Sequence, residues 1–203
     1  MALPYPETTV PATLLDAYWP AAGGTRAWRP FVLAVVGSGL LAISAKISVP
    51  MVPVPISMQT FVVLVIGAAF GWRLAGATVL LYLVEGIAGL PVFSQGAGPA
   101  YFAGTTGGYL VGFLAAAVLV GWLAERGWDR SVAWTAAAMV LGNVVIYVLG
   151  LAWLYVVITT IRGVDGFGLP QLLAAGLTPF LIGDALKIAL ASALLPLAWR
   201  GRR

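Results

Sequence analysis

The chain contains no cysteine and no histidine, and only 9% of its 203 residues are charged. Without cysteine it forms no disulfide framework and offers no thiolate nucleophile. Without histidine it lacks the commonest general base and the commonest imidazole ligand for metal ions. We therefore predict a protein that is not an enzyme and that holds no metal and no cofactor.

What the chain has in abundance is apolar sequence, with 61% hydrophobic residues. An apolar run of about 18 residues is already a candidate transmembrane helix. Such segments recur at roughly 31–45, 56–72, 74–89, 105–124, 132–157 and 178–199. The sequence predicts an all-α membrane protein with six transmembrane helices. Residues 1–30 form an N-terminal segment and residues 31–200 a single transmembrane domain.

Lysine and arginine are distributed unevenly among the gaps between these segments. Eight lie in the N-terminal flank, the second and fourth gaps and the tail: Arg26, Arg29, Arg73, Arg126, Arg130, Arg200, Arg202 and Arg203. Only Lys46 and Arg162 lie in the first and fifth gaps. Because cytoplasmic loops carry the excess of basic residues, both termini are predicted in the cytoplasm of a multi-pass cell-membrane protein. The net charge of +4 then comes from basic residues that set the membrane topology and lie beside anionic lipid. It does not indicate a nucleic-acid partner.

The segment Thr13–Asp16 offers a helix start, since Asp16 complements a helix N-terminus. A short interfacial helix and an irregular tail both stay open here.

The first and third gaps are apolar yet unsuited to helix. The first holds Pro50, Pro53 and Pro55, which favour an extended path, and it is either a membrane-hugging connector or a lid over a ligand pocket. The third, between Gly86 and Tyr109, is rich in glycine and is predicted to be tightly turned and non-helical. Irregular backbone at membrane depth is tolerated where protein buries it or where it lines a cavity.

Asp184 and Lys187 lie inside the last apolar segment, three residues apart and so nearly on one helix face. Either charge alone costs about 2.5–3.5 kcal/mol at the centre of a membrane helix. An intrahelical ion pair stabilises a helix by only about 0.2–0.5 kcal/mol in water. Stability alone does not explain the pair, which predicts a binding site for a small polar molecule.

Other energised functions have no signal in the sequence. Apart from this pair the spans hold only Glu85 as an ionisable residue, so a proton relay is not indicated. The chain lacks G-x-x-x-x-G-K-[ST], so ATP hydrolysis is not indicated either.

Four motifs, taken in order, resemble the BioY family. They are Val54-Pro-Ile-Ser-Met-Gln-Thr60, Gly86-Ile-Ala-Gly-Leu-Pro-Val-Phe93, Gly104-Thr-Thr-Gly-Gly-Tyr109 and Gly183-Asp-Ala-Leu-Lys187. BioY proteins are the biotin-specific S components, the substrate-binding membrane subunits, of energy-coupling-factor (ECF) transporters. The resemblance extends over about residues 31–200. It implies six helices with both termini inside, and an outer pocket closed by the first and third outer loops.

The resemblance also implies site residues. Asp184 and Lys187 are expected to contact biotin: Asp184 accepts a ureido N–H, and Lys187 donates to the ureido oxygen or to the carboxylate. Some relatives place a ligand-contacting Asn in the third loop where this chain has Ala97, and Gln95 is the nearest replacement. The remaining candidates are the polar residues Gln59 and Asn143 and the aromatic wall residues Phe93, Tyr101 and Tyr109.

Partners follow from the same resemblance. S components dock an integral membrane coupling subunit, which two ABC-type ATPase subunits drive. Ala34, Ser38 and Ala42, each four residues apart, form a small-residue face on the first span and are the docking candidates. The predicted function is high-affinity biotin capture and uptake, energised by those ATPases. An S component for another vitamin, such as thiamin or riboflavin, and a stand-alone secondary carrier stay as alternatives.

Overall fold

A computed structural model of the chain describes residues 12–20 and 28–201, most of which are helical. In chain order the helices are α1 (Leu14–Tyr18), α2 (Arg29–Lys46), α3 (Gln59–Ile87), α4 (Gly98–Phe102), α5 (Gly107–Ala124), α6 (Val132–Val156), α7 (Leu169–Gly176) and α8 (Leu181–Arg200). Turns of 3-10 helix occupy Trp128–Arg130 and Thr178–Phe180, and a π-helical turn, Val157–Ile161, extends α6. Two short strands, β1 (Ser48–Val49) and β2 (Ile56–Ser57), complete the described elements.

Five helical stretches of the described residues are long and apolar enough to cross a membrane. They are Arg29–Lys46, Gln59–Ile87, Gly107–Ala124, Val132–Ile161 and Leu169–Arg200. The sequence predicts six because it separates 56–72 from 74–89, whereas these two segments run together as α3 with an interruption at Gly71. The mostly helical membrane fold is confirmed.

The interruption at Gly71 reverses the direction of α3. The side chain of Gln59 donates a hydrogen bond of 2.7 Å to the hydroxyl of Tyr82, 23 residues later. In a straight helix the two residues would lie about 34 Å apart, at 1.5 Å per residue. The two halves of α3 therefore lie side by side. Gly71 permits this because its backbone (φ 77°, ψ 167°) occupies a region that is essentially restricted to glycine.

Helix α5 occupies the centre of the bundle. It packs against both α3 and α6, and 67% of its length is buried. Close approach is possible because Gly112 faces the backbone of Ile146, where a Cβ atom would lie 2.9 Å from the Ile146 Cα. Small residues at such crossings let helix backbones approach closely. The arrangement brings α3, α6 and α8 together on neighbouring faces.

The bundle has two chemically different ends. Arg29, Arg73, Arg126 and Arg200 lie at one end, which we call the basic end. The β1–β2 hairpin, the segment 88–106 and the start of α8 lie at the opposite end, which we call the hairpin end. Most lysine and arginine residues of the described part of the chain thus lie at one end, as the sequence predicts. Arg26, Arg202 and Arg203 lie outside the described residues.

At the basic end the short N-terminal helix packs under the bundle. Thr13 caps α1, its side chain accepting from the backbone N–H of Asp16. The Arg29 guanidinium donates two bonds of 3.0 Å to the Asp16 Oδ1 atom. Of the two alternatives for this segment, the helix is confirmed and the irregular tail is wrong. Residues 1–11 and 21–27 of the predicted N-terminal segment lie outside the described residues, and the division at residue 30 stays a prediction.

The first and third gaps meet at the hairpin end. In the first, β1 and β2 pair antiparallel, with Ser48 opposite Ser57 and Val49 opposite Ile56. Pro50, Pro53 and Pro55 lie in the loop between the two strands, so the chain turns back here instead of following the extended path that the prolines favour. The third gap is not wholly non-helical, because Pro99 at the start of α4 is favourable in a first helical turn. The Thr105 hydroxyl donates a 2.7 Å bond to the Pro53 carbonyl and so joins the two gaps.

A buried acid lies at the basic end between α5 and α6. The indole N–H of Trp199 donates a 2.6 Å bond to Asp129, which is 2% exposed. The guanidinium of Arg130 lies 4.5 Å from the centre of the Trp199 ring. Burial raises the pKa of Asp129 to about 6, and the Trp199 hydrogen bond and Arg130 only partly counter that effect. This contact fixes the end of α8 to the Trp128–Arg130 turn.

We predict that Gly71→Ala destabilises the protein by about 1–3 kcal/mol, because the backbone there suits only glycine. In addition, a Cβ atom would lie 2.4 Å from a carboxylate oxygen of Glu125. Thermal unfolding in detergent micelles measures the effect. The control is Gly39→Ala, where a Cβ atom meets open space. Equal melting temperatures for the two variants would contradict the assignment of the reversal to Gly71.

We predict a pH-dependent contribution from Asp129. Between pH 4 and 6 the folded protein holds a proton that the unfolded chain releases, so the unfolding free energy falls as pH rises through that window. Asp129→Asn keeps an acceptor for Trp199 and removes the charge. It should flatten this dependence and stabilise the protein at pH 7.5 by up to roughly 3 kcal/mol. Thermal unfolding from pH 4 to 8 tests this against Asp165→Asn, an exposed acid. Parallel pH profiles for the two variants would refute it.

Candidate functional site

A small, partly open cavity lies at the hairpin end, where the hairpin, the segment 88–106 and helices α3, α5, α6 and α8 meet. Its volume is about 50 Å³, room for a few water molecules. Hydrogen bonds join the lining residues Ser57, Thr60 and Lys187, and aromatic and aliphatic residues form most of the remaining wall. The lining residues are Val54, Pro55, Ser57, Gln59, Thr60, Ser94, Tyr101, Thr106, Tyr109, Leu110, Phe113, Ile146, Tyr147, Phe180 and Lys187.

The Lys187 ammonium group forms part of the cavity wall and is fully engaged. It donates to the Ser57 carbonyl at 2.8 Å, to the Thr60 hydroxyl at 2.8 Å and to the Asp184 carboxylate at 3.0 Å. A lysine has three N–H donors, so all three are used. Lys187 thereby connects α8 to both the hairpin and the start of α3.

Asp184 lies behind Lys187 and is 4% exposed. Its Oδ1 atom accepts from Lys187 and, at 3.2 Å, from the Thr60 hydroxyl. Its Oδ2 atom accepts from the hydroxyl of Tyr147. A buried ion pair is tolerable only where further hydrogen bonds satisfy the two charged groups. Here the further bonds come from α3 and α6, so three helices share the site.

Thr60 and Tyr147 are the residues that sequence reasoning missed. The sequence position of each residue gave a weak indication that it belongs to the site. Thr60 directly follows Gln59 in the motif after the proline-rich gap, and Tyr147 lies one helical turn beyond Asn143 on α6. Neither signal names Asp184 as the partner, because the partner lies on another helix.

Gln59 and the aromatic candidates lie at or behind the cavity wall. Gln59 lines the cavity while its amide bonds Tyr82. Tyr101 and Tyr109 also line it, and the Tyr109 hydroxyl donates to the Gly176 carbonyl at 2.8 Å. Phe93 is fully buried behind the wall, stacked on Tyr101 with the ring centres 5.3 Å apart.

Two polar candidates lie away from the cavity. Gln95 is exposed, and its neighbour Ser94 lines the cavity instead. Asn143 is buried one turn before Tyr147 on α6, in a narrow space that also touches Thr60 and Lys187. Within the described residues its side-chain oxygen has no hydrogen-bond partner. The structure therefore brings Asp184, Lys187 and Gln59 together and leaves Gln95 outside.

The small-residue face predicted for partner docking points into the protein. Ala34 and Ser38 are buried, Ala42 is half-buried against the core, and the Ser38 hydroxyl donates to Glu85 of α3 at 3.2 Å. These residues let α2 pack closely on α3. Their role in docking a partner stays a prediction. The exposed face of α2 carries Val32, Val35, Val36, Leu40 and Ile43.

Comparison with known proteins identifies related sequences. The family model described as "BioY family" matches residues 7–203. A protein of Thermotoga maritima named "Biotin transporter BioY" is 34% identical over 165 residues, which cover 81% of this chain and 92% of that protein. A Rhizobium etli protein of the same name is 35% identical over 172 residues, covering 81% of this chain and 86% of that protein.

A solved structure shares the fold. The crystal structure described as the S-component for biotin from an ECF-type ABC transporter superposes with a TM-score of 0.73. The two sequences are 21% identical, and the match covers 89% of this chain and 95% of the other.

We predict that Lys187→Met destabilises the protein by about 3–5 kcal/mol, because it leaves the Asp184 carboxylate buried without its counter-charge. The double variant Asp184→Asn/Lys187→Met should recover most of that loss, since no net charge stays buried. Thermal unfolding in micelles measures all three proteins. A double variant no more stable than Lys187→Met would show that the loss does not come from the unpaired charge.

Proposed function

The chain belongs to the BioY family, and we propose that it captures biotin in the cavity at the hairpin end and serves as the S component of an ECF-type transporter. It is a multi-pass membrane protein and a transporter subunit, not an enzyme. The observation that carries the proposal is the buried ion pair Asp184–Lys187, whose lysine lies on the wall of a cavity lined mostly by aromatic and aliphatic residues.

The chemistry of the cavity suits this ligand. Biotin has a ureido group with two N–H donors and one carbonyl acceptor, an apolar ring and chain, and a terminal carboxylate. Asp184 provides a charged acceptor, and Lys187 provides charged donors. Aromatic and aliphatic walls with a few placed polar groups are typical of small-molecule sites.

Binding requires the cavity to widen. Small-molecule pockets typically have volumes of about 300–1,000 Å³, well above the present cavity. Three hydrogen bonds hold the hairpin to the rest of the protein and must break before it can move away. They join Lys187 to the Ser57 carbonyl, Ser94 to Ser48, and Thr105 to the Pro53 carbonyl. The hairpin and the segment 88–106 then act as the two parts of a lid.

Topology follows from the reversal at Gly71. When the two halves of α3 are counted separately, the chain crosses the membrane six times. The basic end faces the cytoplasm, because cytoplasmic loops carry the excess of lysine and arginine. The hairpin end with its cavity then faces the outside of the plasma or inner membrane, and both termini lie inside.

Energy for uptake comes from partner subunits. The structural neighbour is named as a component of an ECF-type ABC transporter. By analogy, a membrane coupling subunit and two ABC-type ATPase subunits drive this chain. Ala34, Ser38 and Ala42 on α2 stay the docking candidates, although Ala34 and Ser38 are buried against α3 in the single chain.

Biotin binding tests the proposal. Purified protein in nanodiscs should bind radiolabelled biotin saturably, in preference to thiamin and riboflavin. Lys187→Met should weaken binding by about 10–100-fold, the range expected for a charge-assisted hydrogen bond of about 1.5–3 kcal/mol. The matched control is Arg162→Met, which removes an exposed cation at the same end.

The outcomes separate loss of site from loss of fold. The double variant Asp184→Asn/Lys187→Met lacks the pair without burying a lone charge, and it should be folded and bind poorly. If the wild-type protein shows no saturable biotin binding, the proposal is wrong. Equal affinities for wild type and Lys187→Met would move the site away from α8.

A further inference from the structure

The carboxylate of Asp184 has a different kind of partner on each oxygen. Lys187 and Thr60 both bond Oδ1, and Tyr147 donates to Oδ2. Within the described residues no other side chain is recorded on Oδ2. Because a carboxylate oxygen accepts two hydrogen bonds, this oxygen keeps one acceptor position beside the Tyr147 bond.

The bonds from Thr60 and Lys187 both end on Oδ1 and leave Oδ2 to a donor from elsewhere. Tyr147 provides that donor from α6, so the carboxylate is held at both of its oxygens. Asp184 is 4% exposed, so bulk solvent has little access to replace a missing donor.

Tyr147 is itself held in place by packing. Its ring lines the cavity and stands edge-on to Tyr109, with the ring centres 6.5 Å apart, and lies 6.3 Å from Phe180. Among the tyrosines that line the cavity, Tyr109 directs its hydroxyl to the Gly176 carbonyl instead. The hydroxyl aimed at Asp184 therefore comes from a ring with little room to move.

We propose that Tyr147 is a positioning residue for ligand recognition, which acts by fixing the Asp184 carboxylate so that its remaining acceptor faces an N–H group of the ligand. This inference rests on the proposed function, since the ligand is biotin. It gives the hydroxyl of Tyr147 a role distinct from that of its ring, which is part of the apolar wall.

The test is a double-mutant cycle on biotin affinity. Tyr147→Phe keeps the ring and should weaken binding by about 10–100-fold, because a buried charged acceptor loses its donor. In an Asp184→Asn background the same substitution should weaken binding less, by about 2–10-fold, because only a neutral hydrogen bond is left to lose. Tyr155→Phe removes an exposed hydroxyl from the same helix and should leave affinity unchanged.

A second measurement does not depend on ligand. The infrared difference spectrum of wild type minus Asp184→Asn isolates the carboxylate bands of Asp184. Tyr147→Phe should shift these bands, because one oxygen loses its donor. Tyr109→Phe, which removes a neighbouring buried hydroxyl that does not reach Asp184, should leave them in place.

The affinity cycle and the infrared spectra together decide whether Tyr147 positions Asp184. An affinity loss that shrinks in the Asp184→Asn background, with shifted bands, supports the positioning role. Equal losses in both backgrounds, or unchanged bands, overturn it. If wild type binds no biotin, the proposed function fails, and the infrared bands still decide whether Tyr147 orients Asp184.

Discussion

The hairpin end depends on one constraint: a carboxylate and an ammonium group are buried together and must be hydrogen-bonded on all sides. Asp184 and Lys187 neutralise each other, but the free energy of an ion pair on one helix does not offset removing both charges from water. Bonds from Thr60 on α3, Tyr147 on α6 and the Ser57 carbonyl on the hairpin provide the remainder. The requirement to satisfy two charges therefore joins three helices and a loop at one point.

The rest of the bundle serves to bring those groups together. The reversal of α3 at Gly71 returns the chain so that Gln59 meets Tyr82 and Thr60 reaches α8. Helix α5, packed closely on both sides, sets the spacing between α3 and α6. Lys187 also holds the hairpin through the Ser57 carbonyl, so a ligand bound by Lys187 would compete with the hairpin for the same N–H donors.

The small-residue face of α2 shows where pattern reasoning reaches its limit. Ala34, Ser38 and Ala42 were correctly placed on one helix face, since residues four apart align. Small residues permit close approach to any helix, whether from the same chain or from another. The partner of Ala34 and Ser38 is α3, and the spacing holds no information that distinguishes the two cases. Gln95 shows the same limit. It lies close in sequence to the position where a ligand contact was expected, yet its side chain is exposed and does not line the cavity.

The sequence by itself determined the features that depend on local periodicity and composition. These are the apolar spans, the separation of basic residues to one end, the irregular gaps and the shared face of Asp184 and Lys187. Helix geometry and the cost of burying charge are enough to deduce them. The tertiary structure alone decided that Thr60 and Tyr147 complete the ion pair and that α2 buries its small residues. Those contacts join residues 37 to 127 positions apart, and they follow from how whole helices pack, which no short stretch of sequence specifies.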